Sequence, residues 1–147
     1  MPYTVAGINQ LYFVGTDLTL LIGSFGASAV LIYGAARSPL AQPRNLVGGH
    51  VLSAIVGVTV WTLLQQHPAL AAAFAVSTAI ALMHLTRTLH PPGGATALVA
   101  VIGSDQIHHL GYLYVLIPAT AGPLVLLLVG LVINNIPSSR RYPEIWF

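Results

Sequence analysis

The chain carries six histidines, five basic residues, all arginine, and three acids, so the groups able to do charged chemistry can be taken singly. The densest stretch is His90-Pro91-Pro92-Gly93-Gly94-Ala95-Thr96-Ala97. Consecutive prolines stop a preceding helix, because each lacks an N–H and disfavours helical geometry in the residue before it. The glycines let the backbone turn, and Ala95 to Ile102 reads as a new helix starting there. A helix start exposes N–H groups without helical partners at the positive end of the macrodipole, which suits a small anion. The bland alternative is a Pro-Gly turn between two helices.

Around that stretch stand the other candidates. Arg87, near the end of an apolar run, either anchors at the interface or lines a cavity. His90 can donate from either ring nitrogen and can change charge near neutral pH, which suits anion or proton handling. His50 follows Gly48-Gly49 inside an apolar run, where packing with one internal hydrogen bond is the default. Thr96, Ser24 and Ser28 supply hydroxyls at two glycine-rich segments, for capping or for binding. Enzyme chemistry is not expected. Asp17, Asp105 and Glu144 all fall at the ends of runs, so no carboxylate pair forms within the apolar core. The histidines lack the HExxH spacing of a zinc hydrolase, and adjacent His108 and His109 point apart on a helix. With no cysteine there is no thiol nucleophile or thiolate metal site. No metal and no cofactor is expected.

The elements that position these residues follow from composition. Hydrophobic residues make up 56% of the chain and charged ones 5%, against roughly 25% charged in a soluble domain, so this is a membrane protein. No basic patch with interleaved aromatics exists, so nucleic acid is not a partner. The expected fold is an all-α polytopic transmembrane bundle, one domain over 1–147. Residues 1–16 form an interfacial segment with Tyr3, Tyr12 and Phe13, without the basic region of a cleaved signal peptide. The first half runs over 17–64, the second over 69–135, and 136–147 is a polar tail. Four apolar runs, Leu18 to Ala36, Leu46 to Leu64, Ala69 to Leu85 and Tyr112 to Ile133, approach the ~20 residues of a full crossing. A short helix follows the HPPGG stretch. Gly49, Ser53 and Gly57, at intervals of four, form a face for close helix packing.

A weak internal repeat relates the halves. Residues 24–34 overlay 92–102 with an offset of 68, setting Gly26 on Gly94 and Ser28 on Thr96. An offset of 73 then sets Gly49 on Gly122 and Gly57 on Gly130. A repeat of three elements would place the halves in opposite orientations. Charge agrees: the first loop is basic (Arg37, Arg44) and the second carries Asp105, His108 and His109, so by the positive-inside rule they face opposite sides. Arg140 and Arg141 return to the first side only if the run 93–103 crosses or nearly crosses. Gly23 to Ser28 and Pro92 to Thr96 would then be two glycine-rich helix starts entering from opposite faces and meeting near the midplane, an arrangement that holds anions in many transporters.

HPPGGATAL at 90–98, FGASAVL at 25–31, LAQPRN at 40–45, GGH at 48–50 and YPEIW at 142–146 together resemble the HPP family of integral membrane proteins, over residues 17–147. Plant and cyanobacterial members of that family are associated with nitrite transport, and its members are usually described as having four spans. The resemblance therefore implies movement of nitrite, across a bacterial inner membrane or a chloroplast envelope.

The combined expectation is a transport protein for a small monovalent anion, nitrite first. The substrate-binding set would be His90, Arg87, Gly93, Gly94, Thr96, Ser24, Gly26, Ser28, Arg44, Asn45 and His50. Besides the anion, the partners would be membrane lipid and further copies of the chain in a homo-oligomer. The alternative is a membrane assembly or interaction protein whose glycine-rich spans serve packing alone.

Overall fold

The structure, a computed structural model, describes residues 16–146, with side chains from Gly23. The interfacial segment expected over 1–16 lies, but for its last residue, outside the described residues. Every regular element described is helical. Helix α1 (Thr16–Ala29) continues through a π turn (Val30–Gly34), and a 3-10 turn (Pro39–Ala41) leads into α2 (Pro43–Leu64). Then come α3 (Pro68–Leu85), α4 (Pro91–Ile102), the short α5 (Asp105–Leu110) and α6 (Leu113–Leu116), and α7 (Ala121–Ile133). Proline opens α2, α3 and α4, where its missing N–H costs nothing.

Three stretches are long and apolar enough to cross a bilayer: Pro43–Leu64, Pro68–Leu85 and Leu113–Ile133. Gly23–Gly34 and Pro91–Ile102 are shorter apolar helices. Thus three of the four full spans expected from sequence meet that criterion among the described residues. Pro118 interrupts the last stretch between α6 and α7, because proline cannot continue the hydrogen-bond ladder.

One expectation is corrected. Gly23 to Ser28 is not a helix start but lies within a continuous helix from Thr16 to Gly34. No proline precedes it to remove a donor, and each glycine costs only about 1 kcal/mol relative to alanine. Leaving backbone groups unbonded in an apolar surrounding costs several. The irregularity appears one turn later, as the π turn.

Glycines set the packing. A methyl on Gly57 would stand 2.6 Å from Ala97 O, and one on Gly49 2.6 Å from His90 Cβ, so α2 lies parallel and close to α4. A methyl on Gly130 would stand 2.7 Å from Ile32 Cγ2, and one on Gly122 2.5 Å from Phe25, so α7 lies in the same manner on α1. The Gly57 and Gly130 contacts recur at the offsets read from sequence. Gly57 meets Ala100 as Gly130 meets Ile32, residues 68 apart, and the two glycines are 73 apart. Helices α1 and α4 run antiparallel, since Ser24 touches Thr96 while Ser28, one turn on, touches His90.

All five arginines collect at one end of the bundle. Arg37 donates to Ser139 O and faces Glu144, so the first loop and the tail share a side. Arg37, Arg140 and Arg141 line one cleft of about 510 Å³ with the buried Asn134. Arg44 and Arg87 line a shallower groove of about 140 Å³ with Gln42, Asn45 and Trp146. At the opposite end Trp61 stacks on His108, ring centroids 4.0 Å apart, beside α5 and Asp105. The arginine side thus lies opposite the Asp105 loop, the separation of charge expected from sequence. The tail reaches that side because α4 carries the chain toward the other end before α7 brings it back.

Candidate functional site

Segment 86–90 enters the bundle beside the first turns of α2 without helical structure, so its carbonyls need partners there. The start of α2 provides them. Arg44 Nη2 donates to Thr86 O at 2.7 Å and Asn45 Nδ2 to Leu89 O at 2.8 Å. Gly48 and Gly49 leave the room that Thr88 and His90 fill. Arg87 sits in this segment with φ 58°, a left-handed conformation uncommon for a bulky side chain. The preceding residues of LAQPRN are equally engaged. His90 Nδ1 donates to Leu40 O at 2.8 Å, and Tyr142 Oη donates to Ala41 O at 2.7 Å. Gln42 Oε1 accepts from the amides of Glu144 and Ile145 while its Nε2 donates to Ala36 O and Ser38 O. Residues 40–45 therefore join the HPP stretch to the tail. Burial pushes the Tyr142 phenol up to about 12.

His90, held in this way, reaches the centre of the bundle. Five polar side chains from three helices meet there: Ser24 and Ser28 of α1, His50 of α2, and His90 and Thr96 at and within α4. All are essentially without solvent contact. Ser28 Oγ lies 2.8 Å from His50 Nε2 and 2.9 Å from His90 Nε2, so one hydroxyl bridges two imidazoles. His50 Nδ1 lies 2.6 Å from Thr96 Oγ1, which lies 3.0 Å from Ser24 Oγ. Ser24 Oγ also reaches Pro92 O at 2.9 Å and Ser28 Oγ reaches Ser24 O at 3.2 Å. The imidazole centroids are 5.1 Å apart, and Phe25 closes the cluster with its ring 5.6 Å from that of His50. Hydroxyls and imidazoles can each donate and accept, so the cluster can carry a proton or surround a small ion with donors.

The expected binding residues thus divide. Ser24, Ser28, His50, His90 and Thr96 come together. Arg44, Asn45 and Arg87 gather at the arginine end, the first two bonded to the backbone that carries His90. Gly93 and Gly94 are buried at the start of α4, where a methyl on Gly93 would meet Gly49 O at 2.9 Å. Gly26 lies exposed on the outer side of α1 with no neighbour within 4 Å of an added methyl. The amide cluster expected at 92–96 is largely used up. Pro91 and Pro92 have no N–H, and Gly93 N donates to His90 O at 2.8 Å. Donors at this site come from side chains. Sequence reasoning missed Leu40, whose contribution is a carbonyl, and Tyr114, whose hydroxyl donates to Thr96 O at 3.0 Å. Neither leaves a signal in composition or spacing.

The comparisons with known proteins show the family. Residues 3–143 match the transmembrane region of the HPP family. The chain belongs to that family. Two proteins of Dictyostelium discoideum, each named as a transmembrane protein, are 48% identical over 137 residues and 49% identical over 146. The matches cover 91% and 97% of this HPP chain but 44% and 51% of the relatives, so the chain spans about half their length. No solved structure matches it significantly.

Proposed function

We propose that this HPP-family membrane protein moves a small monovalent anion, with nitrite the first candidate, through a homo-oligomeric assembly in which α1 and its π turn form a fourth full crossing. The observation that carries the reading is the buried cluster of Ser24, Ser28, His50, His90 and Thr96, set among the apolar clusters of the bundle. Such a group is costly in a membrane interior and is retained where it serves a solute. Its hydroxyl and imidazole donors suit a monovalent oxyanion, and five arginines at one end concentrate anions at that mouth. In the present arrangement the cluster is closed, each polar side chain bonded to another. Passage requires α1 to part from α2 and α4, so that bonds among the cluster exchange for bonds to the anion. Nitrite in particular comes from the resemblance to nitrite-associated members of the family.

The test is nitrite uptake into proteoliposomes. Wild type should exceed empty liposomes, and Thr96→Val, close in shape to the original, should lose at least tenfold. Arg87→Gly should lower uptake without lowering the melting temperature, because glycine adopts φ 58° without penalty. Absence of wild-type uptake for nitrite and other monovalent anions would refute transport and leave the assembly role.

A further inference from the structure

The central cluster contains one line of contacts along which hydrogens can be counted. Five contacts form a line: Ser24 to Thr96, Thr96 to His50 Nδ1, His50 Nε2 to Ser28, Ser28 to His90 Nε2, and His90 Nδ1 to Leu40 O. With both imidazoles neutral, the five side chains bring one transferable hydrogen each, one for every contact. Leu40 O can only accept, so His90 must carry its hydrogen on Nδ1. Its Nε2 is then bare and accepts from Ser28. Ser28, its hydrogen spent, accepts from His50, which must carry its own on Nε2. His50 Nδ1 is bare in turn and accepts from Thr96, which accepts from Ser24. One arrangement fills all five contacts of the line, and it places the histidines in opposite tautomers.

Two further contacts remain unfilled in that state, Ser24 Oγ to Pro92 O at 2.9 Å and the longer Ser28 Oγ to Ser24 O at 3.2 Å. An added proton fills the first. A proton delivered to Ser24 Oγ by water when the helices part displaces the Ser24 hydrogen to Thr96, and the Thr96 hydrogen passes to His50 Nδ1. Ser24 now donates to Pro92 O, Thr96 to Ser24 and His50 to Thr96. The charge rests on His50. If Ser28 then gives its hydrogen to His90 Nε2 and takes one from His50 Nε2, the charge rests on His90. No contact of the line is left empty at either stage.

We propose that this line is a one-proton relay, filled from the Ser24 end and shared between His50 and His90 through the Ser28 hydroxyl. It deepens the transport reading and rests on it for its purpose: a charge of +1 at the site pairs with a monovalent anion, giving one proton per anion. Leu40 O at one end and Pro92 O at the other only accept, so a proton enters at Ser24 or leaves from His90 only when that residue parts from its carbonyl and meets water. Release is thereby tied to the parting of the helices. The surroundings fit this role. Facing the pair are Ser24, Phe25 and Ser28 of α1, Gly49 of α2, Met83 of α3, Thr96 of α4, the Leu40 carbonyl, and Tyr114 of α6 through Thr96 O. Besides the two histidines only Tyr114 titrates among these. Asp105 and Glu144 lie at the two ends of the bundle, and Arg44 and Arg87 at the arginine end.

The experiment is nitrogen NMR on the full chain in liposomes, with labelled histidine and signals assigned by single substitution, in the absence of nitrite. At neutral pH the relay requires a bare Nδ1 on His50 and a bare Nε2 on His90. On acidification His50 Nδ1 should gain a proton at the same midpoint at which His90 responds, with one proton taken up by the pair. In Ser28→Ala the His90 response should no longer move His50. Identical tautomers at neutral pH, or two separate titrations in wild type, would overturn the relay even if the variant fails to fold. Because nitrite is not read, this result is independent of the uptake assay. Opposite tautomers with a shared proton but no uptake would sink the anion reading alone.

Discussion

Replacing Gly57 and Gly26 separately with alanine tests the packing that brings the cluster together, because the two changes share a chemistry and differ only in surroundings. Both glycines lie inside helices, so each alanine gains about 0.5–1 kcal/mol of helix propensity. At Gly26 nothing lies within 4 Å of the new methyl, and the gain stands. At Gly57 the methyl meets Ala97 O at 2.6 Å, Ala100 Cβ at 2.8 Å and Ala97 Cα at 3.0 Å. These are backbone and alanine atoms, with no flexible end to swing aside, so α2 and α4 must part toward the 3.4 Å of an ordinary contact. Overpacking of that kind costs about 1–3 kcal/mol, which outweighs the propensity gain. The two variants should therefore differ by about 1–3 kcal/mol, Gly26→Ala at or above wild type and Gly57→Ala below it. Gly130→Ala should also fall below wild type, since its methyl meets Ile32 Cγ2 at 2.7 Å, the branch methyl of a fully buried, β-branched side chain. The assay is thermal unfolding of the purified chain in one detergent, followed by helical signal and by monodispersity. Equal melting temperatures for Gly57→Ala and Gly26→Ala would refute the close α2–α4 contact and the placement of His90 that depends on it.

Asn45→Ala removes the donor to Leu89 O and should cost about 1–2 kcal/mol in the same unfolding assay, in line with an unmet buried carbonyl. It should also lower nitrite uptake, because the freed segment carries His90. Tyr142→Phe loses the 2.7 Å bond to Ala41 O and should loosen the tail, read as faster proteolysis after residue 135. The Tyr142 phenol, pushed up to about 12 by burial, keeps its proton when folded and releases it near 10 when unfolded. The unfolded chain thus binds fewer protons between those values, and stability should fall as pH rises from 10 to 12. Tyr142→Phe should flatten that alkaline decline.

Much of the site was legible in the residues, for reasons that differ from one element to the next. The prolines that open α4 mark its start, because a missing N–H acts locally and needs no neighbour. Ser24, Ser28, His50, His90 and Thr96 could be singled out because polar side chains stand out in apolar runs. Their meeting could not, since it depends on which face each helix presents. The segment Gly23 to Ser28 misled in the opposite sense: glycines weaken a helix without ending it, and only the surrounding helices decide whether the weakness is expressed. Gly26 shows the same limit. It matches Gly94 by position in the repeat, yet one is exposed and the other buried.

The sequence by itself determined that this is a helical membrane protein, that a helix starts at the HPPGG stretch, and that glycines recur at offsets of 68 and 73. Those properties follow from hydrophobic content, proline placement and glycine spacing, all of which act along the chain. Only the tertiary structure decided that residues 40–45 bind the HPP stretch to the tail, and that one serine hydroxyl joins two histidines 40 positions apart in sequence. Such contacts depend on carbonyls and on the close approach of backbones, and neither is written in any single side chain.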